Sequence, residues 1–127
     1  MDKTALVSFD IENGQRVIDA LERAGIAPSV ALWAVLPEYE DWRLVIASKY
    51  LNPLSISDGY GKINSAMQQA GMSFSNQPTI ALRDINEPFI QALQNTFAQS
   101  LDTYGMRLGG QKFGNQYIED AFVYRIR

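Results

Sequence analysis

Clustered carboxylates are the candidate catalytic groups that this sequence offers, and two common catalytic residue types are missing. The chain contains 14 aspartate and glutamate residues but no histidine and no cysteine. Ser-His-Asp and Cys-His arrangements, thiolate nucleophiles and the usual transition-metal ligands are therefore excluded. A hard cation held by carboxylate and carbonyl oxygens is the metal chemistry that remains. No complete catalytic motif is present, so we assign no catalytic residue, no metal ligand and no cofactor.

Four of the carboxylates, Asp10, Glu12, Asp84 and Asp120, are candidates for a shared cation in a metal-dependent hydrolase or nuclease. The segment FDIE at residues 9–12 resembles the first motif of the DEDD-type exonucleases, in which paired carboxylates bind metal ions that activate water. That motif belongs on a strand followed by a second strand, whereas a helix is predicted to follow here. We prefer the explanation that Asp10 and Glu12 are acids in the first turn of that helix, where the helix dipole favours negative charge.

Two other segments have a superficial likeness to ion-binding loops. Glu38, Glu40 and Asp41 cluster at a predicted hairpin tip and could collect a divalent cation, but a solvated turn accounts for them. Residues 58–62, reading DGYGK, lack the alternating acids of a calcium loop and the Gly-Lys-Ser/Thr ending of a phosphate loop. We interpret this second segment as the entry to a helix.

The glycine-rich segment at residues 105–116 is a candidate anion site. Glycines let backbone N–H groups approach an anion or a nucleotide, and Arg107 and Lys112 would add positive charge. A hairpin connection in which glycines adopt positive φ explains the same residues. We prefer the hairpin interpretation.

The final predicted strand carries a compact polar group. Asp120 falls on an otherwise apolar face, so it needs a partner such as a nearby arginine or backbone donors. A structural ion pair is preferred to a catalytic carboxylate. If the protein has a site, we expect it where this strand and the glycine-rich loop meet the Trp42–Arg43 side of the hairpin. The candidate binding residues are Trp42, Arg43, Arg107, Lys112, Asp120, Tyr124 and Arg125.

Periodicity and turn signals predict the elements that must position these residues. Apolar runs around a turn at residues 37–41 predict a β-hairpin at residues 29–50, whose first strand is apolar on both faces and therefore central. Further elements are helices at about 10–24 (with a start as late as Gln15), 57 or 58 to 70, and 86 to before 105, and strands at 79–83 and 118–126. The order α-β-β-α-β-α-β predicts an α+β fold, a two-layer sandwich with helices packed on a mostly antiparallel or mixed sheet. We expect a single globular domain over residues 1-127.

The charge and hydropathy of the chain limit its possible partners. A formal net charge of −3 argues against a broad nucleic-acid surface or an anionic-membrane surface. No stretch approaches the ~20 apolar residues that a membrane helix needs. The N-terminal apolar run is too short for a signal peptide. We therefore expect a soluble, cytoplasmic protein.

Two segments resemble a family of small bacterial proteins of unknown function. They are ALWAVLPEYEDWRLVIAS at residues 31–48 and YIEDAFVYRIR at residues 117–127. The resemblance implies a bacterial origin and a single-domain protein, and it implies no activity.

These observations favour a non-enzymatic binding or interaction module. Such a module could self-associate through a sheet edge or an aromatic patch, or it could bind a protein partner. The alternative is the metal-dependent hydrolase or nuclease, which requires the candidate carboxylates to converge in one cleft.

Overall fold

Helices and strands are interspersed along residues 5–127, the part of the chain that the computed structural model describes. The helices are α1 (Ser8–Arg23), α2 (Ile56–Gln69) and α3 (Pro88–Thr96). The strands are β1 (Val30–Val35), β2 (Arg43–Ala47), β3 (Ile80–Leu82), β4 (Arg107–Leu108), β5 (Gln111–Phe113), β6 (Gln116–Ile118) and β7 (Asp120–Ile126), and a 3-10 turn at Phe74–Asn76 precedes β3. The predicted α+β class and element order are confirmed, and the glycine-rich segment adds the three short strands β4, β5 and β6.

Five of the strands form one mixed sheet in the order β3-β2-β1-β7-β4. β1 is antiparallel to β2 and to β7, β7 is antiparallel to β4, and β2 and β3 are parallel. Every residue of β1 is buried, as predicted for a central strand with two apolar faces. β5 and β6 form a separate hairpin.

Helices cover both faces of the large sheet, so the fold has three layers. Alternate residues of a strand point to opposite faces. Leu32 of β1 accordingly packs in the cluster that contains Phe89 and Leu93 of α3. Its neighbour Trp33 packs in the cluster built from α1 and α2. We expected two layers, and the third follows from β1 itself, because each apolar face of a buried strand needs its own apolar cover.

Helix α1 begins at Ser8 and continues through Asn13 and Gly14, although we had allowed for a start as late as Gln15. Glycine weakens a helix by about 1 kcal/mol relative to alanine. Here Gly14 is buried, and a β-carbon at this position would lie 2.2 Å from the hydroxyl oxygen of Tyr124. The helix therefore uses glycine to approach the sheet closely, and tertiary packing overrides the local propensity.

The other two helices differ from the prediction at one end each. α2 begins at Ile56, before the predicted start, because the Oγ atom of Ser55 accepts a hydrogen bond from the Asp58 N–H at 3.1 Å. α3 ends at Thr96, well before the predicted limit at residue 105. The chain turns there because Phe97 packs on the β5–β6 hairpin, with its ring centroid 6.3 Å from that of Phe113.

A β-bulge on β7 changes the predicted alternation of the final strand. We expected Phe122, Tyr124 and Ile126 to share one face. The register shifts where β1 passes from Ala31 to Leu32. As a result, Phe122 and Tyr124 pack toward α1 and α2, while Ile126 packs on the opposite face.

None of the helices within residues 5–127 is long and apolar enough to cross a membrane.

Candidate partner-binding site

The partner of Asp120 is an arginine, and it comes from the neighbouring strand. Nη2 of Arg107 on β4 donates to both carboxylate oxygens of Asp120, at 3.0 and 2.9 Å. Arg43 and Arg125, the other two arginines of our expected site, have other contacts. Both members of the Arg107–Asp120 pair are about half exposed, so this is a surface ion pair of the structural kind.

Tyr124 and Arg125, at the other end of β7, contact α1. The Tyr124 hydroxyl donates to the Ile11 carbonyl at 2.6 Å and accepts from Nε1 of Trp33 at 3.0 Å. Burial raises the pKa of Tyr124 well above its usual value. Arg125 donates to a carboxylate oxygen of Glu22 and, at 3.3 Å, to a backbone carbonyl before β1. These two side chains hold α1 on the sheet.

The remaining candidate residues lie elsewhere on the molecule. The guanidinium of Arg43 lies 4.2 Å from the ring centroid of Tyr39. Trp42 is half-buried against the α1–α2 cluster, and Lys112 is exposed on the separate hairpin. The structure therefore pairs Arg107 with Asp120, and it does not gather the seven predicted residues into one site.

The candidate carboxylates also lie apart. Asp10 is in the first turn of α1, as the helix explanation requires, and accepts the Val7 N–H at 3.1 Å. Asp84 follows β3, three strand spacings or about 14 Å from β7 and Asp120. Among the described residues, no group of three or more aspartates and glutamates could hold a metal ion.

The glycines before β7 serve turns and close packing. Gly110 and Gly114 adopt positive φ, and Gly114 begins the two-residue turn between β5 and β6. A β-carbon on Gly114 would lie 2.5 Å from the carbonyl oxygen of Pro88. Arg107 is held by Asp120, so the anion hypothesis loses one of its two cations, and this geometry supports the hairpin explanation.

The β3 edge of the sheet is closed by a side chain. The Tyr60 hydroxyl on α2 accepts from the Leu82 N–H at 2.9 Å and donates to the Ile80 carbonyl at 3.4 Å. Gly59 allows this approach, since a β-carbon there would lie 2.6 Å from a methyl group of Leu82. Tyr60 therefore occupies backbone groups that another strand would otherwise use.

A groove with a mixed polar and apolar lining lies where α1, α2 and the loop after β2 meet. We call it the α1–α2 groove. Its main part has a volume of about 610 Å³. A depression of about 180 Å³ shares lining residues with this main part, and a further depression of about 260 Å³ shares lining residues with the first. Together they extend the groove along the two helices. The main part is lined by Ala24, Gly25, Ile26, Tyr50, Leu54, Lys62, Ser65, Ala66 and Gln69.

The apolar wall of the groove is held in place by a structured loop. Tyr50 and Leu54 project from this loop and are 50% and 36% exposed. Ser48, which is buried, accepts the Tyr50 N–H at 3.2 Å and donates to the Ala27 carbonyl at 2.9 Å. The Leu54 N–H donates to the carbonyl of buried Leu51 at 3.0 Å. The backbone that carries the two exposed apolar side chains is thus hydrogen bonded before any partner binds.

The groove is bordered by positive charge, although the chain as a whole is acidic. Arg16, Arg23 and Lys62 line it, and within residues 5–127 none of the three forms an ion pair. Nζ of Lys49 lies 5.1 Å from the ring centroid of Tyr50. The acid that lines the extended groove is Asp19, and its carboxylate accepts a hydrogen bond from the Gln15 side chain at 3.1 Å. Clustered cations of this kind create a local positive potential.

Leu54 separates this groove from a second cleft of about 250 Å³ near the carboxyl ends of β2 and β3. Arg83 lines that cleft, but its guanidinium donates to Glu87 at 3.2 Å and to Gln116 at 3.2 Å. The cation of the second cleft is thus already engaged, whereas the cations of the α1–α2 groove are available.

Sequence reasoning missed this groove, although part of its signal was present. In the sequence, Arg16 and Arg23 have the spacing of polar residues on the solvent-exposed face of an amphipathic helix, which is common and indicates no site. The run YLNPL at residues 50–54 places apolar residues beyond the end of a strand, and this was the one local sign of an exposed apolar wall.

No family model, curated protein or solved structure matches the chain. The resemblance to small bacterial proteins of unknown function therefore stays a prediction, and function is argued from the groove.

Proposed function

We propose that the protein is a non-enzymatic binding module that engages a protein partner through the α1–α2 groove. The observation that carries this proposal is a pair of exposed apolar side chains, Tyr50 and Leu54, on a hydrogen-bonded loop beside cations that have no ion-pair partner among the described residues. Tyrosine is enriched at the energetic centres of interfaces because it offers a large apolar area together with a polar group.

Preorganisation supports the same proposal. Ordering a loop on binding costs free energy, which weakens the association. The hydrogen bonds of Ser48 and the burial of Leu51 already hold the loop. A partner would therefore gain the burial of Tyr50 and Leu54 without that cost. We further propose that the module acts in the cytoplasm, which agrees with a chain that has no cysteine.

The two edges of the large sheet also favour binding of a partner at the groove over self-association through the sheet. Tyr60 occupies the outer backbone groups of β3, and β4 at the opposite edge is two residues long. Neither edge offers a long template for strand addition.

Photo-cross-linking in cells tests this proposal. A photo-reactive phenylalanine analogue replaces Leu54 in one variant and Phe74, which is 92% exposed outside the groove, in a matched control. We expect a discrete cross-linked partner from position 54 that is absent from position 74. Identical patterns from both positions, or no product from position 54, would overturn the proposal.

A further inference from the structure

We infer that the α1–α2 groove takes an acidic amphipathic helix supplied by a partner protein. The inference rests on the proposed function and adds the class of the partner. It follows from the shape of the groove, from the state of the surrounding backbone and from the charge at the rim.

The groove has the shape and length for a helix. The depression of about 180 Å³ shares Ala24 and Ala66 with the main part of the groove. It shares Arg23 and Ala70 with the depression of about 260 Å³, so the three lie in a row along the two helices. From Arg16 to Ala24 the groove follows α1 for about 12 Å at 1.5 Å per residue. Two to three turns of a helix would fill this length, and the Tyr50–Leu54 wall closes one end. Helix-in-groove recognition uses apolar anchors at this spacing.

The backbone around the groove favours a helix over an extended strand. The central walls are α1 and α2, whose backbone groups bond within each helix. A strand laid in the groove would find no backbone partners and would leave its own N–H and C=O groups unpaired. A helix satisfies its backbone internally and needs only side-chain contacts. The one strand edge next to α2, that of β3, is occupied by Tyr60.

The charge at the rim selects an acidic helix. Arg16, Arg23 and Lys62 are exposed, and none pairs with an acid within the described part of the chain. Glutamates flanking the apolar face of a helix would lie opposite these cations. Complementary charges raise the association rate and exclude partners of the wrong sign.

The same charges disfavour the other occupants. A two-fold contact between copies through this groove would set its cations against the same cations of the second copy. A nucleic acid could contact the cations through its phosphates, but it would leave the apolar side chains of Tyr50 and Leu54 largely exposed. Its affinity also depends on many phosphate contacts, and this groove has few cations. Binding of a second copy and binding of a nucleic acid are both detectable in the experiment that tests the inference.

The test uses two labelled synthetic peptides of about 18 residues, above the length at which isolated helices are marginal. Both carry leucines at helical spacing. One has glutamates and the other has lysines at the flanking positions. Fluorescence anisotropy with the full chain should show that the acidic peptide binds at least about tenfold more tightly, as a few partly exposed ion pairs would give. Its affinity should fall as salt is added.

Substitutions of the charged residues at the rim of the groove provide a second test of the inference. The double substitution Arg23→Glu with Lys62→Glu should reverse the preference between the two peptides. Lys112→Glu, an exposed lysine on the distant hairpin, is the matched control and should leave it unchanged. Leu54→Asp should weaken both peptides. Circular dichroism checks that each variant is folded, and the wild-type comparison of the two peptides needs no variant.

Several results would overturn the inference. They are equal affinity for the two peptides, no reversal in the double variant, tighter binding of a single-stranded oligonucleotide, or a concentration-dependent dimer that excludes the acidic peptide. If position 54 still cross-links a partner while neither peptide binds, the helix inference fails and the binding function stands. If the cross-link is also absent, both fail.

Discussion

Gly14 on α1 lies so close to Tyr124 on β7 that a β-carbon at position 14 would be 2.2 Å from the Tyr124 hydroxyl oxygen and 2.8 Å from Nε1 of Trp33. The two aromatic side chains are hydrogen bonded to each other, and both bond to carbonyls of α1. Helix α1 is thus joined to two neighbouring strands, β1 and β7, by polar contacts within an otherwise apolar layer.

Replacing Gly14 with alanine should destabilise the protein, although alanine is the better helix former. The methyl group has no room, so Tyr124 and Trp33 must shift, and overpacking of this kind costs about 1–3 kcal/mol. The matched control is Gly61→Ala on α2, where nothing lies within 4 Å of the added carbon. This change should raise the free energy of unfolding by about 0.5–1 kcal/mol. Urea denaturation of both variants measures the difference, and a stabilised Gly14→Ala variant would contradict the packing.

Tyr124 should make the stability of the protein fall at high pH. Burial raises its pKa above the ordinary value of 10.0, so between these two values the folded state binds more protons than the unfolded state. Tyr124 therefore makes its full contribution to the free energy of unfolding below pH 10. Above pH 10 this contribution decreases, by at most about 1.4 kcal/mol per pH unit. Other groups also titrate there, so the measured quantity is the wild-type decline minus that of Tyr124→Phe. We expect the variant to decline less steeply. Tyr117→Phe, at an exposed position, should behave as wild type.

Removing the Tyr60 hydroxyl should open the edge of the sheet. Tyr60→Phe leaves the Leu82 N–H and the Ile80 carbonyl without the protein partner that they have now, at a cost of about 1 kcal/mol. An exposed strand edge also promotes association between chains. Light scattering after size-exclusion chromatography should detect concentration-dependent association in Tyr60→Phe beyond that of wild type. Tyr117→Phe again serves as the control, and equal association in all three proteins would refute the edge-closing role.

Neutralising Asp120 should change stability little. Both of its carboxylate oxygens accept from a single nitrogen of Arg107, and the two side chains are about half exposed. Exposed ion pairs contribute about 0–1 kcal/mol. Asp120→Asn should lower the melting temperature slightly at low salt and less at high salt. A loss of several kcal/mol, independent of salt, would show that Asp120 has a role that this geometry does not provide.

Local patterns were enough to predict the main elements. The alternating apolar faces of residues 30–35 require a central strand, and Gly25 and Gly71, both with positive φ, follow the ends of α1 and α2 as predicted. Asn86 to Pro88 correctly marked the entry to α3, within a residue of its cap at Glu87. Such signals depend on near neighbours in the chain, so a sequence expresses them directly.

Contacts between residues that are distant in sequence determine which polar groups pair and where the candidate site forms. The bulge that places Tyr124 and Ile126 on opposite faces depends on strand register. The pairing of Arg107 with Asp120 and the closing of the β3 edge by Tyr60 join residues that are far apart in sequence. The α1–α2 groove likewise exists only because two helices and a loop pack side by side. The sequence by itself determined the central strand, the order of the main elements and the absence of histidine and cysteine chemistry. The tertiary structure alone decided which polar groups meet and which cations remain at the groove, because side-chain pairing depends on distances that no local pattern encodes.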